Sequence, residues 1–186
     1  MGSKSKNYGK GFEYEIRDVL REATGIQSFE RVPTSGAWIG GKNAYKAQTG
    51  RDDVTEIMAG DIICPQGWRW TVECKNHENV PFHQLFLGEG SKTVDSFLAQ
   101  IYDAAKTARK EPLLVMKLRK KAKKNSIAMG TLVAELAEHS FDISGINHIQ
   151  YTGKLSDDIS ATWLFFDLDL WLEHINERQF KKSPNI

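Results

Sequence analysis

The chain has 186 residues, 40% of them hydrophobic and 26% charged, with a formal net charge of +1. That length suits one domain with room for one insertion, and the composition excludes a disordered or fibrous chain. The near-neutral charge names no partner, and the two cysteines, Cys64 and Cys74, form neither a disulfide framework nor a zinc site. The opening Met-Gly-Ser-Lys-Ser-Lys lacks the apolar centre of a signal peptide. No stretch approaches the roughly 20 apolar residues of a membrane span. The expected location is a reducing cytoplasm, with no membrane partner.

Residues 1–9 are polar and are expected to be a flexible N-terminus. From Phe12 onwards, Phe12, Ile16, Val19, Leu20 and Ala23 form one apolar stripe at helical spacing, and Thr24-Gly25 is a stop. Residues 26–33 read as a short strand ended by Pro33. The segment 37–59 is an insertion loop or flap without periodicity, long enough to imply a function or disorder. Asp61-Ile62-Ile63-Cys64 reads as a strand and Pro65-Gln66-Gly67 as a turn. In residues 68–75, Trp68, Trp70, Val72 and Cys74 alternate with Arg69, Thr71, Glu73 and Lys75. The two segments together predict a β-hairpin.

Residues 93–110 predict the strongest helix, with Val94, Phe97, Leu98, Ile101, Ala105 and Ala108 on its buried stripe. Pro112 to Met116 reads as a central strand. Residues 117–124 hold six positive charges in eight positions, which is either a solvated loop or a surface for a polyanion. Residues 127–151 are ambiguous between strand and helix. Trp163–Phe166 is a strand, and Asp167 or Asp169 caps a last helix through Glu177. The expected fold is α/β: a single domain over 1–186 with a central mixed β-sheet flanked by helices, residues 127–186 adding strands and the C-terminal helix.

Glu73 and Lys75 stand two apart on one strand, so both side chains leave the same face. If the hairpin pairs antiparallel, Asp61 lies beside them at the end away from the turn. Two carboxylates and an ammonium then converge, a set suited to phosphodiester hydrolysis. The carboxylates can hold Mg²⁺, for which Mn²⁺ commonly substitutes, and the lysine can orient the attacking water or offset developing charge. A Glu-x-Lys pair alone is more often a solvated surface feature. What strengthens it here is an otherwise apolar strand preceded by Gly60-Asp61-Ile62-Ile63.

Gly60-Asp61-Ile62-Ile63 followed by Val72-Glu73-Cys74-Lys75 resembles the PD-(D/E)XK nuclease signature, and the chain from 8 to 118 resembles archaeal and phage Holliday-junction resolvases. The resemblance implies a restriction-endonuclease-like core and a Mg²⁺-dependent DNA endonuclease. It also implies a homodimer cutting four-way junctions, since a two-fold assembly presents two sites at fixed separation. Gly9 to Leu20 is similar to the family's first helix, whose glutamate follows a glycine by four, which makes Glu13 the matching metal-site residue. The helical wheel itself does not separate Glu13 from Glu15. The family also implies the carbonyl of Cys74 as a metal ligand. By the same resemblance Ser35 contacts a phosphate, although a turn serine bonding its own backbone is as good a reading. Gln100 lines the site, and Arg109 and Lys110 face DNA. The basic residues from 106 to 124, including Lys106, Lys117, Arg119, Lys120 and Lys121, are expected to carry sequence-independent affinity.

Two departures stand out: Gly60 replaces the proline of the motif's name, and the 37–59 insertion is longer than in the compact resolvases. The insertion leaves open another nuclease on the same core (nicking, repair or restriction type) and, more remotely, a non-catalytic DNA-binding protein. The five histidines show no metal-ligand spacing. Trp38, Tyr45 and Phe86 are better explained by packing than by base stacking.

Overall fold

A computed structural model of the chain describes residues 3–33, 58–77, 82–118, 131–139 and 147–175. Helix α1 spans Ser3–Thr24, so it begins nine residues before the first apolar position of the stripe. The stripe marks the apolar face of the helix; once nucleated, a helix propagates by backbone hydrogen bonds that need no apolar contact. Phe12, Ile16 and Leu20 are buried. The helix stops where expected. Thr24 Oγ1 donates to the Leu20 carbonyl (2.7 Å), and the Gly25 N–H donates to the Arg21 carbonyl (2.9 Å). Gly25 takes φ +70°, the left-handed conformation that glycine adopts without cost from a Cβ.

The remaining elements are strands β1 (Glu30–Arg31), β2 (Ile62–Ile63) and β3 (Trp70–His77), helices α2 (Phe82–Leu87) and α3 (Lys92–Ala108), strands β4 (Glu111–Leu118), β5 (Thr131–Leu136), β6 (Ile149–Lys154) and β7 (Ser160–Asp167), and helix α4 (Leu168–Ile175). The strand expected over 26–33 is reduced to two residues, and the ambiguous 127–151 stretch holds β5, a 3₁₀ turn at Ala137–His139 and the start of β6. The Asp167 carboxylate accepts from the Asp169 N–H (3.0 Å), so Asp167 is the residue that starts α4. Glu177 lies outside the described residues.

The described strands form one mixed seven-stranded sheet in the order β1-β2-β3-β4-β5-β7-β6. The β3–β4 pair is parallel and its connection carries α3; the other pairs are antiparallel. Residues of α1 and α4 pack on one face with Trp68, Trp70, Val72, Cys74, Leu113, Val115 and Val133. Val94, Leu98 and Ile101 of α3 and Leu85 of α2 pack on the other with Leu114, Met116, Ala134 and Phe165. The result is an α/β architecture with helices on both faces, consistent with a restriction-endonuclease-like core. The alternation predicted for 68–75 holds: the tryptophan-bearing side of β3 faces α1 and α4, which leaves Glu73 and Lys75 on the α3 side.

Gly60 fixes the approach of β2 to β3. Its φ is +79°, and a Cβ there would stand 2.5 Å from the Val72 carbonyl oxygen and 3.0 Å from Thr71 Cγ2. Proline, with φ locked near −65°, cannot take that conformation, which accounts for the missing proline of the motif. Gly60→Ala is expected to destabilise the fold by about 1–3 kcal/mol through the backbone conformation and the clash, measured by urea denaturation. An unchanged midpoint would refute this role.

Candidate active site

Strand pairing sets the site. The Asp61 N–H donates to the Val72 carbonyl (2.8 Å), and the Asp61 carbonyl accepts from the Val32 N–H (2.9 Å). With its backbone held on both sides, Asp61 points its carboxylate at β3, where Oδ2 accepts from the Cys74 N–H (2.9 Å). The register Ile62↔Val72 then places Glu73 and Lys75 next to it. Lys75 Nζ donates to Glu73 Oε1 (2.5 Å) and to Gln100 Oε1 (2.9 Å). Gln100 Nε2 donates to the same Glu73 oxygen (2.6 Å). The triangle of Glu73, Lys75 and Gln100 joins β3 to the middle of α3, and the Phe97 ring, 5.6 Å from Nζ, walls it on the helix side.

Asp61 and Glu73 are both buried. Burial, and then the neighbouring Glu73 charge, hold the Asp61 carboxyl well above the ordinary carboxylate range. Burial also raises Glu73, against the pull of Lys75. Burial opposes the Lys75 ammonium, but the Glu73 carboxylate beside it leaves its pKa raised. The site therefore concentrates two buried acids on one ammonium.

Glu13 is buried near the same acids, and its charge adds to the upward shifts of Asp61 and Glu73. Glu15 is elsewhere: both its oxygens accept from Lys117 Nζ (2.6 and 2.7 Å). Between the two glutamates left open by the helical wheel, the one that reaches the acids is Glu13. Its carboxylate accepts from Arg31 Nε (2.5 Å). The sequence reading passed over Arg31, because only the β1–β2 pairing, Arg31↔Ile62, brings it alongside.

Among the described residues, no three His, Cys, Asp or Glu side chains are arranged to hold a metal ion by themselves. The available set is two acids, Asp61 and Glu73, with the carbonyl of Cys74 directly after Glu73 in sequence, and with Glu13 near enough for its charge to act on both acids. Such an oxygen-only set fits Mg²⁺ or Mn²⁺, which take few protein ligands and keep several waters. A divalent charge would also relieve the crowding of buried carboxylates.

Residues 4–182 match the family described as "Phage putative PDDEXK endonuclease". The chain belongs to that family. Protein D14 of Escherichia phage T5 is 28% identical over 117 residues, which are 63% of this chain and 66% of that protein, so the chain spans just under two thirds of this relative's length. No solved structure matches the chain. Membership in this phage family agrees with the resemblance in the Asp61, Glu73 and Lys75 segments. Nucleases of the PD-(D/E)XK superfamily generally use divalent metals. No described helix is long and apolar enough to cross a membrane.

Of the residues expected at the DNA surface of this family member, Gln100 is in the site itself. Lys117 is tied to Glu15 on the α1 side. Lys106, Arg109 and Lys110 lie at the C-terminal end of α3 and are not gathered with the acids. Glu111 pairs with Trp70 and Met116 with Lys75, so this end of β4 is about 16 Å along the strand from the lysine. Ser35, Arg119, Lys120 and Lys121 lie outside the described residues, as do Trp38, Tyr45 and nearly all of the 37–59 insertion. Phe86, expected to pack, is 72% exposed.

A carboxylate whose folded pKa is raised binds protons more tightly folded than unfolded. It therefore favours folding at low pH, and that stability is lost as pH rises through the folded pKa. In a chelator, the wild type is thus expected to lose thermal stability as pH rises above the ordinary carboxylate range. Asp61→Asn should flatten this dependence and raise Tm at the upper end, by about 2–4 °C per kcal/mol recovered for a chain of this size. A variant that melts lower than wild type at every pH would contradict the strained carboxylate.

Proposed function

We propose that the protein is a Mg²⁺-dependent, structure-selective DNA endonuclease that cuts four-way junctions as a homodimer. The observation that carries the nuclease chemistry is the meeting of Asp61, Glu73 and Lys75, joined by Gln100, at the β2–β3 pairing. The junction preference and the dimer are supported by the resemblance of residues 8–118 to junction resolvases.

In this reading Asp61, Glu73 and the Cys74 carbonyl hold the ion, with Glu13 completing the set directly or through water. When bound, the ion supplies Lewis acidity and positive charge at the scissile phosphate. The protein's own groups do the rest. Lys75 Nζ, kept protonated, presents N–H donors that orient the attacking water or meet charge growing on the phosphate. Gln100 restrains both Glu73 and Lys75, so neither swings away when substrate arrives. The Cys74 N–H aims the Asp61 carboxylate.

A second reading, another nuclease on the same core, is favoured by the 37–59 insertion, which is long for a compact resolvase. One assay separates them: Mg²⁺-dependent cleavage of a four-way junction against linear duplex, flaps and single strands. Paired symmetric nicks near the branch point are expected. Equal cutting of plain duplex would reject junction selectivity and leave the second reading. Asp61→Asn, Glu73→Gln and Lys75→Ala should each cut the rate at least about a hundredfold while DNA binding persists. Gln100→Ala should cost about 10–100-fold. Wild-type rates in any of the first three would move the chemistry elsewhere.

A further inference from the structure

A cavity of about 540 Å³ opens at the C-terminal end of α3. Ala105, Pro112, Leu136 and the ring of Tyr102 make its floor apolar; Glu111 is buried in its wall, and the exposed Lys106, Arg109 and Glu138, with the half-buried Lys110, form its rim, three cations against one acid. The volume is in the range of small-ligand sites. It is distinct from the nuclease site: Gln100 and Tyr102, two apart, leave α3 on nearly opposite sides, at about 200°. One reaches Lys75 and the other lines the cavity.

Two features of the rim call for an occupant. The first is charge. Arg17, Arg21, Arg31 and Arg69 each meet a carboxylate. Among the described residues, no ion pair engages Lys106, Arg109 or Lys110. Glu111 in the wall is itself bound to Arg69 (2.5 Å) and does not neutralise them. The second is backbone conformation. Arg109 caps α3 at φ 53°, ψ 41°, and among the described residues no other non-glycine has a positive φ. Glycine would serve there at no steric cost. A cation near a helix C-terminus favours the dipole, but that does not require an arginine in the left-handed region. An observed outlier of this kind is a pointer to function.

We propose that this cavity binds a nucleotide, with the base on the apolar floor against Tyr102 and the phosphate at Lys106, Arg109 and Lys110. The helix C-terminus carries partial negative charge, so these side chains rather than backbone groups hold the anion. The nucleotide is either free or part of a DNA strand bound elsewhere on the protein; the recognised chemistry is the same.

The test is calorimetric titration of the full chain, in chelator so that nothing is cut, with deoxynucleoside 5′-monophosphates and with a short oligodeoxynucleotide. Saturable binding is expected, weakened about tenfold by Arg109→Gly and by Lys106→Gln, the loss of roughly one charge-assisted hydrogen bond each. Arg109→Gly should also raise Tm, since glycine suits the backbone there, so weaker binding cannot be put down to misfolding. Binding of the mononucleotides identifies a free ligand; binding of the oligonucleotide alone, still sensitive to both variants, identifies a nucleotide of the strand. Absence of saturable binding, or affinities unchanged in both variants, overturns the site. The titration is read in chelator without turnover, so its outcome is independent of the cleavage assay that tests the nuclease reading.

Discussion

The N–H of Cys74 donates to the carboxylate of Asp61 across the β2–β3 pairing, and the rest of the site depends on that contact. It brings an acid from one strand onto a neighbour that already carries Glu73 and Lys75. Both acids are then buried beside a single ammonium. In water the same three groups would be separately solvated and nearly indifferent to one another. Inside the fold Lys75 offsets only part of their repulsion, and a proton or, in the proposed function, a hard divalent cation would offset the rest. Gly60, pressed against the Val72 carbonyl, makes this approach possible; any side chain there would push the strands apart.

The central layer of the fold was legible because its signals are local. The alternation over 68–75 separates the tryptophan face from the Glu73–Lys75 face, and the stripe of α3 matches its buried residues, except that Phe97 is only partly buried. Asp61 beside Glu73 followed from pairing two strands across a tight turn. Less was legible where packing over long sequence separation decides. The N-terminal turns of α1 lack an apolar stripe, so periodicity could not find them. β5 is buried along most of its length and shows no period of two, whereas β6 does alternate in burial but has Gly153 at an inward position, which carries no apolar signal.

The site residues divide in the same way. Glu73 and Lys75 follow from strand geometry alone, whereas Glu13 and Gln100 needed the family resemblance, because each comes from a helix distant in sequence. Arg31 was missed altogether. It became visible only through register with β2, which no short motif encodes. The arginine and lysines at the end of α3 were expected to face DNA, and the fold sets them away from the acids, at the far end of β4. Sequence position after a helix does not say which end of the sheet that helix reaches.

The account stands on a divalent ion being held by Asp61 and Glu73. The most direct measurement is anomalous diffraction from crystals soaked in Mn²⁺. The predicted result is a peak between the Asp61 and Glu73 carboxylates, in reach of the Cys74 carbonyl, with the Lys75–Glu73 contact rearranged to admit it. A clear peak elsewhere, or none at saturating Mn²⁺ with that ion pair intact, would contradict it.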